Sequence, residues 1–101
     1  MPLRIIDADL VKQLLPIAAC IDVLAEAMTA LSAGQVSMPP RLVTPLIDDS
    51  GALLSMPGSP RDGGYYGSKL ISLHPGNAGG QCPVIQGFVA LFDHATGEPV
   101  A

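Results

Sequence analysis

The feature that most constrains this chain is a change of hydrophobic period at Gly34. Before it, Ile17, Cys20, Ile21, Leu24, Ala27, Met28 and Leu31 recur every three or four residues. That spacing lays one apolar stripe along a helix, with Asp22, Glu26 and Thr29 off it. A helix is predicted over 17–33, stopped by Gly34. A shorter one is predicted over 8–15, opened by Asp7 as N-cap and closed by Pro16. After Gly34 the pattern is β. Pro39-Pro40 forces extended backbone.

Strands are predicted over 42–47, 52–56, 65–73 and 84–92, with a further one starting at Glu98. The first two form a hairpin across Asp48-Asp49-Ser50-Gly51. Residues 57–64 and the glycine-rich stretch 74–83 read as loops, Asp93-His94-Ala95-Thr96-Gly97 as a tight turn capped by Asp93, and residues 1–6 as a brief strand. No repeat or low-complexity segment is present. The predicted fold class is α+β, two N-terminal helices packed on an antiparallel sheet.

In 101 residues there is room for one small domain with a thin core. Only 14 % of residues are charged, against about a quarter in ordinary soluble domains, so further surface is expected to be covered by something else. The chain stops at Val100-Ala101, just inside the last predicted strand, and truncation is the simplest expectation. The net charge is −4, and Arg4, Lys12, Arg41, Arg61 and Lys69 are scattered, which argues against nucleic acid. No apolar run approaches the ~20 residues of a membrane span, and Asp7, Asp9 and Lys12 interrupt any leader-like pattern. Cys20 and Cys82 lack metal spacing, and His74 and His94 lie in no ligand cluster, so no metal is expected. Two reduced cysteines in a cytoplasmic protein are expected, Cys20 buried within the helical stripe.

Two cations carry the most chemical information. In a strand over 65–73 side chains alternate, so Lys69 interrupts a face otherwise made of Tyr65, Gly67, Ile71 and Leu73. An ammonium there snorkels to water, meets a counter-ion, or lines a cavity where it holds a carboxylate or gives a proton. Arg41 follows two prolines that stiffen its backbone. Its guanidinium is either solvated at a strand start or offers a two-point grip on a carboxylate. His74-Pro75-Gly76-Asn77-Ala78-Gly79-Gly80 is either a plain connection or a backbone loop that comes close to a ligand; it is not a nucleotide fingerprint.

The order Pro39-Pro40-Arg41, Met56-Pro57, Gly67-Ser68-Lys69, His74-Pro75-Gly76-Asn77, Pro83-Val84-Ile85-Gln86-Gly87, Leu91-Phe92-Asp93 and Thr96-Gly97-Glu98-Pro99-Val100-Ala101 resembles the start of the ornithine cyclodeaminase/mu-crystallin family. The resemblance implies that residues 1–101 are the N-terminal part of a substrate-binding and homodimer-forming domain. It further implies that a Rossmann domain, missing from this chain, binds NAD or NADP. The implied activity moves a hydride between nicotinamide and the α-carbon of a small amino or imino acid. By the family pattern Arg41 and Lys69 bind the substrate carboxylate, Lys69 relays a proton at the imine nitrogen, and Met56 walls the pocket. True ornithine cyclodeaminases carry an acid two positions before Met-Pro; here that position is Leu54. A Δ1-pyrroline-2-carboxylate or other ketimine reductase, or an amino-acid dehydrogenase, is therefore expected over ornithine cyclisation. A non-catalytic ligand-binding member stands as the alternative.

Overall fold

The computed structural model describes residues 2–61 and 63–101. It has the predicted α+β architecture: helices α1 (Ala8–Leu14) and α2 (Ile17–Ser32), then strands β1 (Val36–Ser37), β2 (Leu42–Pro45), β3 (Ala52–Pro60), β4 (Tyr65–Leu73) and β5 (Ile85–Asp93). Asp7 caps α1, its carboxylate accepting the Leu10 amide at 2.9 Å. At Pro16 the chain turns by 80° into α2, because proline cannot continue the ladder of α1. Gly34 leaves α2 with φ +72, a conformation open to a residue without Cβ. Among the described residues no single helix is long and apolar enough to cross a membrane.

The sheet order is β1-β3-β4-β5, every pairing antiparallel. β2 shares an edge of β3 with β1: it pairs as far as Leu42 with Ser55, and β1 takes over at Ser37 with Ser59. That division corrects the sequence reading. Residues 57–60 are not loop but the second half of β3. Proline and glycine lower strand propensity, yet Pro57 lies in the interval where one edge of β3 has no partner strand, and a missing amide is tolerated there. Asp62, in the remainder of that predicted loop, lies outside the described residues.

Other boundaries shift less. The hairpin turn after β2 is held by Asp48, whose carboxylate accepts the Ser50 amide at 3.0 Å and hydroxyl at 2.6 Å, and Asp49 takes φ 59. The strand expected from Glu98 is reduced to a bridge between Phe92 and Pro99. It continues only as backbone bonds, Val100 donating to the Leu91 carbonyl at 2.9 Å. Arg4 donates to the Val100 carbonyl at 3.0 Å, so the described part of the N-terminal segment lies against this edge without forming a strand.

No described residue is fully buried. The accessible surface is 7768 Å², where a compact monomer of this mass would show roughly 5,400 Å². The radius of gyration is 15.7 Å against about 13 Å for a compact domain of this length. The apolar stripe of α2 is open, Ile17 being 77 % and Met28 59 % exposed. Cys20 on that stripe is half-buried rather than buried as predicted. A periodic stripe shows which side of a helix seeks cover, not that the cover is present.

Candidate functional site

The site is built on the interval in β3 that has no second partner strand. Lys69 stands opposite Met56 in the β3–β4 ladder and opposite Val89 in the β4–β5 ladder. Directly opposed residues project to the same face, so these three side chains rise together. The extended Met38-Pro39-Pro40-Arg41 segment joins β1 to β2 and passes beside the same stretch of β3. It closes a hollow of about 490 Å³ lined by Met38, Pro39, Pro40, Arg41, Met56, Pro57 and Lys69. All three residues singled out from the sequence, Arg41, Met56 and Lys69, therefore meet in one place.

The lining carries two cations and no carboxylate. Both cations are exposed, whereas Met56 is half-buried. Two positive groups without an acid between them create a positive potential that a small anion neutralises. The guanidinium supplies a planar pair of donors and the ammonium a point charge, a combination suited to fixing a carboxylate in one orientation. The prolines and methionines supply apolar walls, which apart from Met56 are themselves exposed. Of these walls sequence reasoning names only Met56; Pro39 and Pro40 enter it as stiffeners of Arg41, and it misses Met38 and Pro57. Each adjoins a residue it had named, but that a wall forms there depends on how β1, β2 and β3 divide their edges.

Leu54, two residues before Met56, lies on the same face, opposite Ile71 and Val43. The loop from His74 is a 3-10 turn over Pro75–Asn77, closed by Asn77 donating to the Pro83 carbonyl at 3.1 Å, and it does not line the hollow. Among the described residues no group of His, Cys, Asp or Glu could hold a metal ion. None fits a dinucleotide either: every strand pairing is antiparallel, and no glycine-rich turn runs from a parallel strand into a helix.

The fold is an antiparallel sheet with a hollow lined by two cations beside β3. The ornithine cyclodeaminase/mu-crystallin family model matches residues 4–101, and the chain belongs to that family. It is similar to a Δ1-pyrroline-2-carboxylate/Δ1-piperideine-2-carboxylate reductase of Azospirillum brasilense, at 38 % identity over 97 residues, 96 % of this chain and 30 % of that protein. A Δ1-pyrroline-2-carboxylate reductase of Burkholderia ambifaria is 39 % identical over 92 residues, 91 % of this chain and 29 % of its own length. Among solved structures, an archaeal alanine dehydrogenase dimer with bound NAD superposes with a TM-score of 0.88 at 28 % identity, covering 100 % of this chain and 30 % of that one. The Thermococcus litoralis Δ1-pyrroline-2-carboxylate reductase in complex with NADH and L-proline gives 0.83 at 26 % identity, over 90 % of this chain and 28 % of that one. The chain thus spans about 30 % of the length of the curated relatives it matches.

Proposed function

We propose that this chain supplies the substrate grip of an NAD(P)-dependent reductase of cyclic α-imino acids, Δ1-pyrroline-2-carboxylate being the reference substrate. The observation that carries the reading is the convergence of Arg41 and Lys69 on one hollow whose lining holds no acid. The printed activities of the Azospirillum and Burkholderia relatives support the substrate class. The NAD and NADH in the two structural neighbours support the cofactor. The described residues form no dinucleotide site, so the hydride carrier is held outside them, and residues 1–101 act as part of a substrate-binding and dimer-forming domain. A homodimer and a cytoplasmic location complete the proposal, the former in keeping with the dimeric archaeal neighbour.

In this reading Arg41 takes the carboxylate through paired N–H donors and Lys69 approaches it from β4. Holding the acid at two points fixes the α-carbon relative to the sheet and lowers the entropic barrier of reaction. Lys69 also holds the proton delivered at the imine nitrogen, and is left as a neutral amine once it has given it. Met56 fills the wall between the two cations. Leu54 favours reduction over ornithine cyclisation, since an apolar side chain on that face cannot pair with a second substrate ammonium. An amino-acid dehydrogenase is the second reading, supported by the alanine dehydrogenase neighbour.

The test is a substrate assay on the whole protein. Reduction of Δ1-pyrroline-2-carboxylate by NADH or NADPH, with little ornithine turnover, is the expected result. Rapid conversion of ornithine to proline with no imine reduction would overturn it.

A further inference from the structure

The cationic hollow does not end at Lys69. A second hollow of about 330 Å³ adjoins it and shares Met56 and Lys69 as lining. Its other walls include Gly58, Gly67, Val89 and Leu91. Gly58 and Gly67 are direct partners in the β3–β4 ladder, two residues along from the Met56–Lys69 pair and so the next pair on the same face. The floor of the second hollow therefore lacks side chains where the sheet would otherwise raise two. The two glycines lack side chains for different reasons. A Cβ at Gly67 would run into the Ala90 backbone carbonyl, so the close approach of β5 requires glycine there. A Cβ at Gly58 would meet only the Ser37 carbonyl, at 4.0 Å, and Gly58 has no positive φ. Nothing in the backbone requires glycine at 58, yet a side chain there would stand in the hollow.

We infer that the substrate's carbon body runs from the Arg41–Lys69 grip past Lys69 into this apolar hollow, with Gly58 setting how large a body is accepted. The site would then take cyclic α-imino acids bearing apolar bulk beyond a five- or six-membered ring. The inference rests on the carboxylate grip proposed above and adds the direction in which the substrate extends. The chemistry is consistent along the path: a charged end at the two cations, then methionine, valine and leucine carbon around a glycine floor. An apolar substituent there replaces water against carbon, which favours binding in proportion to the apolar surface removed from solvent.

Calorimetric titration of the whole protein with two planar carboxylates tests this. Pyrrole-2-carboxylate probes the grip alone, and indole-2-carboxylate adds a fused apolar ring. The wild type is expected to bind indole-2-carboxylate at least as tightly as pyrrole-2-carboxylate. Gly58→Val, which adds three carbons, should weaken indole-2-carboxylate about tenfold or more relative to pyrrole-2-carboxylate, the scale on which apolar pockets discriminate small changes of bulk. Gly58→Ala should shift the same ratio in the same direction by less, and serves if the valine variant does not fold. Val89→Ala, which widens the hollow, should move the ratio the other way. An unchanged ratio in folded Gly58→Val and Val89→Ala proteins would overturn the inference. Arg41→Ala separates the two levels. If it weakens both probes while the Gly58 variants leave their ratio unmoved, the grip stands and the extension fails; if it weakens neither, the grip itself fails.

Discussion

Met56 and Lys69 face each other across β3 and β4 at the one interval where β3 has no strand on its other side. The pairing places a thioether wall against an ammonium, and the open interval lets the Arg41 segment close the hollow. Removing the ammonium should therefore separate chemistry from cofactor capture. Lys69→Ala in the whole protein is expected to lower kcat/KM for Δ1-pyrroline-2-carboxylate by a factor of about 10² or more, the usual scale for loss of a positioned proton donor. NADH affinity, followed by fluorescence titration, should be nearly unchanged, because no described residue forms a dinucleotide site. Full activity in this variant would remove Lys69 from the site.

Arg41 makes a different demand. If its role is two-point binding of a carboxylate, lysine at that position keeps the charge and loses the fork. Arg41→Lys should raise KM about tenfold and Arg41→Ala about a hundredfold, in line with roughly 1.5–3 kcal/mol for a charged hydrogen bond. Equal KM values for the wild type and Arg41→Lys would show that only net charge matters.

Leu54 sits diagonally from Lys69 on one face, since its direct partner is Ile71. Diagonal positions lie about 7–8 Å apart, within reach of long side chains. In Leu54→Glu the new carboxylate can pair with the Lys69 ammonium and compete with the substrate acid. KM for the imino acid should rise, and the rise should shrink at high salt as the new pair is screened. A KM insensitive to the substitution would place Leu54 outside the field of Lys69.

How much of this was legible beforehand follows from which cues are local. Strand β4 was readable over its whole span, 65–73, because a run rich in tyrosine, leucine and isoleucine lies between two glycine-rich segments. Helix α2 was readable because Pro16 and Gly34 bracket a helical stripe. The second half of β3 was not, because Pro57-Gly58-Ser59-Pro60 has loop composition and its strand character depends on partners about twenty residues before it and seven or more after it. The incomplete burial of Cys20 was hidden for a related reason: periodicity gives a side, and cover is a tertiary property. The meeting of Arg41 with Lys69 was expected only from family resemblance. No spacing rule joins an arginine before β2 to a lysine in the middle of β4; the β3 ladder does that. The second hollow was invisible, because it depends on Gly58 falling opposite Gly67.

The turn after β5 gives a prediction that needs neither substrate nor cofactor. One oxygen of Asp93 accepts the amides of Ala95 and Thr96, each at 2.9 Å, and the Thr96 hydroxyl at 3.1 Å. These bonds, the Thr96 amide foremost, hold the carboxyl below its ordinary value of 3.8. A depressed folded-state value means the unfolded chain binds the proton more readily. The stabilisation is therefore complete above about pH 4 and is lost as pH falls through the lower folded value. Asp93→Asn keeps an oxygen for the amides but cannot titrate. Its melting temperature should lie below that of the wild type at neutral pH, and the gap should close as the pH is taken from 5 towards 2. The turn is exposed, so the effect should be small. A gap that stays constant over that range would mean that the charge on Asp93 contributes nothing to holding Gly97 and the Glu98 backbone against β5.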